Sequence, residues 1–139
     1  MKQLLFFLFF SSALLASCQQ PGAKGVSSDA LAAKVEGITI NEVLPLKAYK
    51  AKMSELGETR QLIDVRTPEE YNAGHIEGAV NINFYDEDFE QQLEEKLNQE
   101  QPVMLYCRSG SRSAQSAKQM AGLGFREVYD LKGGFMAWK

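Results

Sequence analysis

The chain lacks any apolar run long enough to cross a membrane, has no surplus of positive charge, and holds only two cysteines, Cys18 and Cys107. The longest apolar stretch, Leu4 to Leu15, falls short of the ~20 residues of a spanning helix even with its serines counted. A net charge of -3, with both signs mixed along the sequence, leaves no basic stripe and excludes a nucleic-acid partner. A length of 139 residues with 45% hydrophobic content suffices for one globular domain with a proper core and is too little for two.

The N-terminus reads as a secretory signal: a positive charge at Lys2, the apolar stretch, then small residues before Cys18. Leu15-Ala16-Ser17-Cys18 resembles the lipobox of bacterial lipoproteins, whose cysteine becomes the lipidated first residue of the mature chain. The resemblance implies a signal peptide over residues 1–17, lipidation at Cys18, and a bacterial cell-envelope location, with the domain held in the periplasm or outside the cell. Each buried acyl methylene would contribute ~0.8 kcal/mol to membrane affinity. The alternative is a plain signal peptide cleaved nearby, with Cys18 an ordinary thiol. Pro21, Gly22 and Gly25, with almost no large apolar neighbours, make residues 18–37 a lipidated N-terminus and flexible tether ahead of a domain over 38–139. Lipidation of Cys18 would leave Cys107 as the sole thiol of the mature chain and exclude a disulfide within it.

From Ile38 the pattern becomes that of a folded domain. Ile38 to Leu44 reads as a strand, and a helix follows from Pro45 with Leu46, Tyr49, Met53 and Leu56 on one face. Gln61 to Val65 suits a buried strand. Thr67, Pro68 and Glu70 then form a capping box for a short helix. A strand is expected around Val80 to Ile82, and an amphipathic helix carries Phe89, Leu93 and Leu97. The carboxylates of that helix read as a solvated face rather than a docking surface. Val103 to Tyr106 is the most continuously apolar strand; a helix near Ser113 to Leu123, a strand near Val128 and Tyr129, a Gly133-Gly134 turn and a terminal helical turn with Trp138 complete the chain. The alternation of strands and helices predicts an α/β fold, a central parallel sheet flanked by helices on both faces.

In an open α/β sheet the ligand crevice lies beyond the carboxyl ends of the strands, and Cys107 directly follows the apolar strand. Residues Arg108, Ser109, Gly110, Ser111 and Arg112 must turn the chain into the next helix, and Gly110 permits a positive φ in that turn. A tight loop of this kind points backbone N–H groups at its own centre, an anion nest at a helix N-terminus. With the Arg108 and Arg112 cations, it should lower the thiol pKa from ~8.5 toward neutrality and make Cys107 a nucleophile. The same donors would hold an anionic substrate against the sulfur and stabilise charge in the transition state. An inert core cysteine is the bland alternative, but it has no need of two arginines and a glycine turn within five residues.

"CRSGSRS", preceded by "LIDVRTPEEYNAGHIEGAVNI" and followed by "GFREVYDLKGGFMAW", resembles a single-domain rhodanese, a sulfurtransferase, across Ile38 to Lys139. The resemblance implies a rhodanese-like fold and makes Cys107 the catalytic residue that takes up a sulfane sulfur as a persulfide. Arg108, Ser109, Gly110, Ser111, Arg112 and Ser113 become the loop that cradles it, with Arg112 closing the cradle. Asp64 and Arg66 match the "DVR" signature and are expected to support that loop. His75 matches the "GHIxGA" element, where its place belongs to packing, and Gly133, Gly134 and Trp138 match the "GGxxAW" end.

The implied reaction is a two-step displacement: thiosulfate or a similar anionic donor charges Cys107, and a thiol or cyanide acceptor discharges it. It needs no metal and no organic cofactor. Two other readings share the scaffold. Cysteine phosphatases of the cell-cycle dual-specificity type place five residues between cysteine and arginine; here four, Arg108 to Ser111, separate Cys107 from Arg112, and Tyr106 stands where phosphatases commonly have histidine. A persulfide-carrying or redox-sensing binding module without turnover would also keep the cysteine. In an oxidising envelope, with no second thiol to resolve it, Cys107 would depend on a partner thiol for rescue from oxidation.

Overall fold

A computed structural model describes residues 40–139; the expected signal peptide, Cys18 and the expected tether all fall outside the described residues. In chain order the elements are β1 (Ile40–Leu44), α1 (Leu46–Leu56), a 3-10 turn (Gly57–Thr59), β2 (Gln61–Asp64), α2 (Pro68–Asn72), β3 (Val80–Asn81), α3 (Phe89–Lys96), β4 (Val103–Tyr106), α4 (Ser111–Gly122), β5 (Glu127–Leu131) and α5 (Gly134–Trp138). The strands form one sheet in the order β1-β5-β4-β2-β3. Every pairing is parallel, with Asp64 opposite Tyr106 and Leu105 opposite Asp130.

Strand β4 is central, and all four of its residues are buried. Because side chains alternate across a strand, Val103, Leu105 and then Cys107 join one core cluster with Phe89 and Leu93 of α3 and Ala117 and Met120 of α4. Met104 and Tyr106 face the other way, into a cluster with Tyr49 of α1 and Phe135 of α5. Helices therefore cover both faces, as the alternating pattern requires. A continuous apolar run rather than an alternating one follows from burial on both sides.

Several element ends differ from the sequence expectation. Helix α1 begins at Leu46, with Pro45 outside it in an extended conformation. Strand β3 spans two residues, and β2 ends at Asp64. Helix α3 is shorter than its amphipathic pattern because Asp86 to Asp88 form a turn, in which the Phe89 amide donates to the Asp86 carbonyl at 3.1 Å. The difference that matters most is in α4, which starts at Ser111 with Gly110 as its cap, not near Ser113. Arg112 and Ser113 are therefore first-turn helical residues, fixed in direction by the helix rather than by a loop.

Candidate active site

Cys107 follows the C-terminal end of β4 and is 1% exposed. The turn after it reverses at Gly110, whose φ of +105° is a conformation L side chains rarely adopt. This reversal aims the Gly110 amide at Sγ, N to S 3.1 Å, and the Ser113 hydroxyl at the same sulfur from 3.5 Å. Burial pushes the thiol pKa up, but the Ser113 hydroxyl and the amides of Ser113, Gly110 and Ser109 outweigh it and hold the thiol below its ordinary value. The sulfur thus sits inside a ring of donors that ease its ionisation.

The carbonyls of the same turn are tied away from the sulfur. The Phe135 amide donates to the Cys107 carbonyl at 2.8 Å and the Met136 amide to the Arg108 carbonyl at 3.0 Å. This contact requires glycine at 134: a Cβ there would lie 2.7 Å from the carbonyl atoms of Arg108 and nearer still to the Cys107 oxygen, and φ is +59°. The first turn of α5 so clamps the loop, which gives a physical reason for the Gly133-Gly134 pair.

Arg112 does not stand free over the sulfur. Its guanidinium makes a two-pronged ion pair with Glu70 of α2, Nη1 to Oε2 2.7 Å and Nη2 to Oε1 2.9 Å. The Arg112 hydrogen bond, assisted by the Thr67 amide, pulls the Glu70 carboxyl down to about 2. Arg108 is exposed and borders a cleft of about 260 Å³ shared with Arg66, Glu70, Phe135, Met136 and Lys139. Ser109 and Ser111 are exposed on the outside of the turn.

Asp64 and Arg66 form a buried brace beneath this cleft. Arg66 donates from its backbone and from Nε to Asp64 Oδ1, both at 2.9 Å, and from Nη2 to Asp64 Oδ2 at 2.6 Å. Nη2 also reaches the Gly74 carbonyl at 2.8 Å, and the guanidinium lies 4.1 Å over the Phe135 ring. The brace thereby links the end of β2 to the helix that clamps the loop. His75 is exposed, stacks on Tyr71 at 3.8 Å and bonds the Tyr71 carbonyl through Nδ1. Trp138 lies under the Lys50 ammonium on the α1 side.

Sequence reasoning did not anticipate two participants. Glu70 was legible as the capping residue of α2, and it does complete that box, but its pairing with Arg112 spans 42 positions and carries no local signature. Asp130 is the other: it is 1% exposed, sits opposite Leu105, and burial pushes its carboxyl up to about 6.

The rhodanese-like domain family matches residues 46–139. The uncharacterized protein YqhL of Bacillus subtilis is 43% identical over 81 residues, covering 56% of this chain and 60% of that protein's length. A thiosulfate sulfurtransferase GlpE of Coxiella burnetii is 37% identical, covering 61% of this chain and 78% of its own. Among solved structures, a rhodanese-like domain from an Anabaena protein superposes with a TM-score of 0.62 at 25% identity, covering 71% of this chain and 74% of that one. An Escherichia coli rhodanese with anions matches with a TM-score of 0.51 at 28% identity, over 56% of this chain and 89% of that one. With the family match spanning most of the chain and a parallel sheet that carries the cysteine turn at its carboxyl edge, the protein belongs to the rhodanese-like domain family.

Proposed function

We propose that the protein is a sulfurtransferase that moves a sulfane sulfur from thiosulfate, or a similar anionic donor, through a Cys107 persulfide to a thiol or to cyanide. The observation that carries this reading is the donor ring around a buried sulfur with a lowered pKa. In the first step the Cys107 thiolate attacks the outer sulfur of thiosulfate. A new S–S bond forms, the old one breaks, and sulfite leaves with the bonding pair. In the second step the acceptor attacks the outer persulfide sulfur and Cys107 departs as the thiolate, with no net redox change in the protein. The amides that favour the thiolate also suit the negative charge on the persulfide and on departing sulfite. Exposed Arg108 is free to meet the dianionic donor, whereas Arg112 is partly neutralised by Glu70. The names of the Coxiella relative and the anions of the Escherichia coli rhodanese support this substrate class.

The test is an intact-mass measurement on the purified protein after exposure to thiosulfate, alongside Cys107→Ser and a cyanide chase read as thiocyanate. Gain of one sulfur atom by the wild type alone, discharged by cyanide, is the expected result. No added sulfur with the thiol still reactive would move the assignment to a persulfide-carrying or redox-sensing module and make a phosphatase assay the next step.

We also propose that the chain is exported and held at a membrane of the bacterial cell envelope by a lipid on Cys18. Support comes from the lipobox-like run Leu15 to Cys18 and the polar stretch after it. Cys18→Ala should move the protein from the membrane fraction to the soluble one; unchanged partitioning would refute the anchor.

A further inference from the structure

Two adjoining hollows of about 380 and about 690 Å³ share Met53, Arg60 and Trp138 as lining residues. Together they form a groove walled by α1, with Lys50 and Met53, and by the segment between α2 and β3, with His75 and Ile76. Gly74 and Lys139 border the catalytic cleft with Arg108, and their chain neighbours His75 and Trp138 line the groove, so groove and cleft meet there. Lys50 stands 4.5 Å over the Trp138 ring. Arg60 is half-buried: Nη1 donates to the Met53 and Gly57 carbonyls, while Nε is buried and has no hydrogen-bond partner. Such an atom calls for a partner from outside the fold. Among the described residues Lys50, Arg60, Arg108 and Lys139 belong to no ion pair. Glu77 is the carboxylate that lines the groove, and Glu70, in the cleft, is already held by Arg112. In a chain of net charge -3 this run of unpaired cations reverses the sign locally.

Tryptophan, methionine and arginine are the residue types enriched in protein–protein contacts, and Met136, 64% exposed, adds an apolar side chain where the cleft opens. A small-molecule site encloses most of its ligand's surface; this groove is open to solvent and suits an extended chain instead. We propose that the groove and the rim of the cleft are one docking surface for an acidic polypeptide segment of a partner protein, which presents the thiol that takes sulfur from Cys107. Carboxylates of the segment pair with Lys50 and Arg60, an apolar side chain lies on Trp138, and the acceptor cysteine enters past Arg108 and Met136. Its thiolate attacks the outer sulfur of the Cys107 persulfide; an S–S bond forms on the partner as the one on Cys107 breaks, and Cys107 leaves with the bonding pair. The inference rests on the reading of Cys107 as a sulfur carrier and names the class of its acceptor.

Trp138 is the sole tryptophan of the chain, so its fluorescence reports occupancy of the groove without any chemistry. The probes are synthetic peptides of about 12 residues, roughly 40 Å when extended, each with one cysteine and identical except that the variable positions are all Glu, all Gln or all Lys. The full chain should bind the Glu peptide about tenfold more tightly than the Gln peptide, and salt at about 0.5 M should erase the difference. Lys50→Glu should weaken the Glu peptide about tenfold, since an attraction becomes a repulsion, and Arg60→Gln about threefold. If Arg60→Gln does not fold, because Arg60 also ties carbonyls of α1, the exposed Lys50→Glu decides alone. In a second measurement the thiosulfate-loaded protein is discharged by each peptide and by cyanide. The Glu peptide should act about tenfold faster than the Lys peptide, and Lys50→Glu should remove that preference while leaving the cyanide rate within about twofold. Equal binding of the Glu and Lys peptides overturns the docking surface, whatever the activity. Normal discharge by cyanide with no preference among peptides overturns the acceptor assignment and leaves the sulfurtransferase reading intact. Failure of thiosulfate to load Cys107 overturns that reading, while the Trp138 titration still decides the surface. A Trp138 response to vesicles of phosphatidylglycerol and phosphatidylcholine in equal parts, with none to the Glu peptide, would assign the face to a membrane and overturn the proposal as well.

Discussion

Cys107 is almost completely buried and still has a lowered pKa, so the donors around it outweigh a desolvation that acts the other way. The named donors are one hydroxyl and three amides, whereas the sequence pointed first to the charges of Arg108 and Arg112. Arg112 spends much of its charge on Glu70, and the raised pKa of Arg112 reflects that pair first, with Cys107 a smaller influence. The residue-scale consequence concerns the donor rather than the thiol. Arg112→Ala removes a cation and also leaves Glu70 unpaired beside the site of a dianion. Its kcat/KM for thiosulfate should fall by roughly 10- to 100-fold, less than the ~100- to 1,000-fold found for loss of one oxyanion-stabilising donor, because Glu70 already neutralises part of the Arg112 charge. Part of that loss should return in Arg112→Ala/Glu70→Gln, where the stranded carboxylate is neutral. An Arg112→Ala enzyme with wild-type turnover would mean that backbone dipoles alone hold the anion. A double variant no better than the single would mean that Glu70 exerts no repulsion.

At the scale of elements, the site is assembled by a helix distant in sequence from the turn it controls. The amides at the start of α5 fix the carbonyls of Cys107 and Arg108, and Gly134 is the residue that lets the two backbones meet. Gly134→Ala should therefore cost about 2 to 4 kcal/mol, since both a positive φ and a collision with backbone must be relieved. It should also raise the Cys107 pKa by loosening the donor ring. Gly78→Ala is the matched control, with φ +80° and open space around it. It should lose only about 1 kcal/mol, the cost of the conformation. Urea midpoints for the two variants measure the difference, and equal losses would show that the approach of α5 to the turn carries no special constraint.

This dependence on distant contacts also explains what the sequence could and could not show. The buried run Val103 to Tyr106, the Thr67–Glu70 capping box and the turn at Gly110 are written in adjacent residues, and each appears in the structure. The start of α4 was harder to read, because "SGSRSA" offers several serines as caps. Ser113 bonds instead to Gly110 and the sulfur, and the helix begins earlier. Strand order, the Glu70–Arg112 pair and the place of Asp130 depend on which strands lie side by side, which the local pattern does not specify.

Across the whole molecule, two buried or half-buried carboxyls pull stability in opposite directions with pH. Glu70 has a folded pKa of about 2, below its ordinary 4.5. Its contribution is present above the ordinary value and is lost as pH falls toward 2. Asp130 is raised from 3.8 to about 6, so the folded state holds its proton more tightly than the unfolded chain does. Its contribution is therefore greatest below the ordinary value and is lost as pH rises through about 6. Between these limits the Glu70 pair is intact while the Asp130 penalty grows. Stability should fall by about 1 kcal/mol between about pH 5 and pH 7.5, as the linkage relation gives for a shift of this size. Urea unfolding of the wild type and Asp130→Asn at the two pH values isolates the cause. The variant should lose this slope and gain stability at the higher pH, because a buried charge without a counter-ion has been replaced by a neutral amide. A slope that survives in Asp130→Asn would assign the pH dependence to other groups, and a wild type with no slope would mean that Asp130 ionises in the fold as easily as in the unfolded chain.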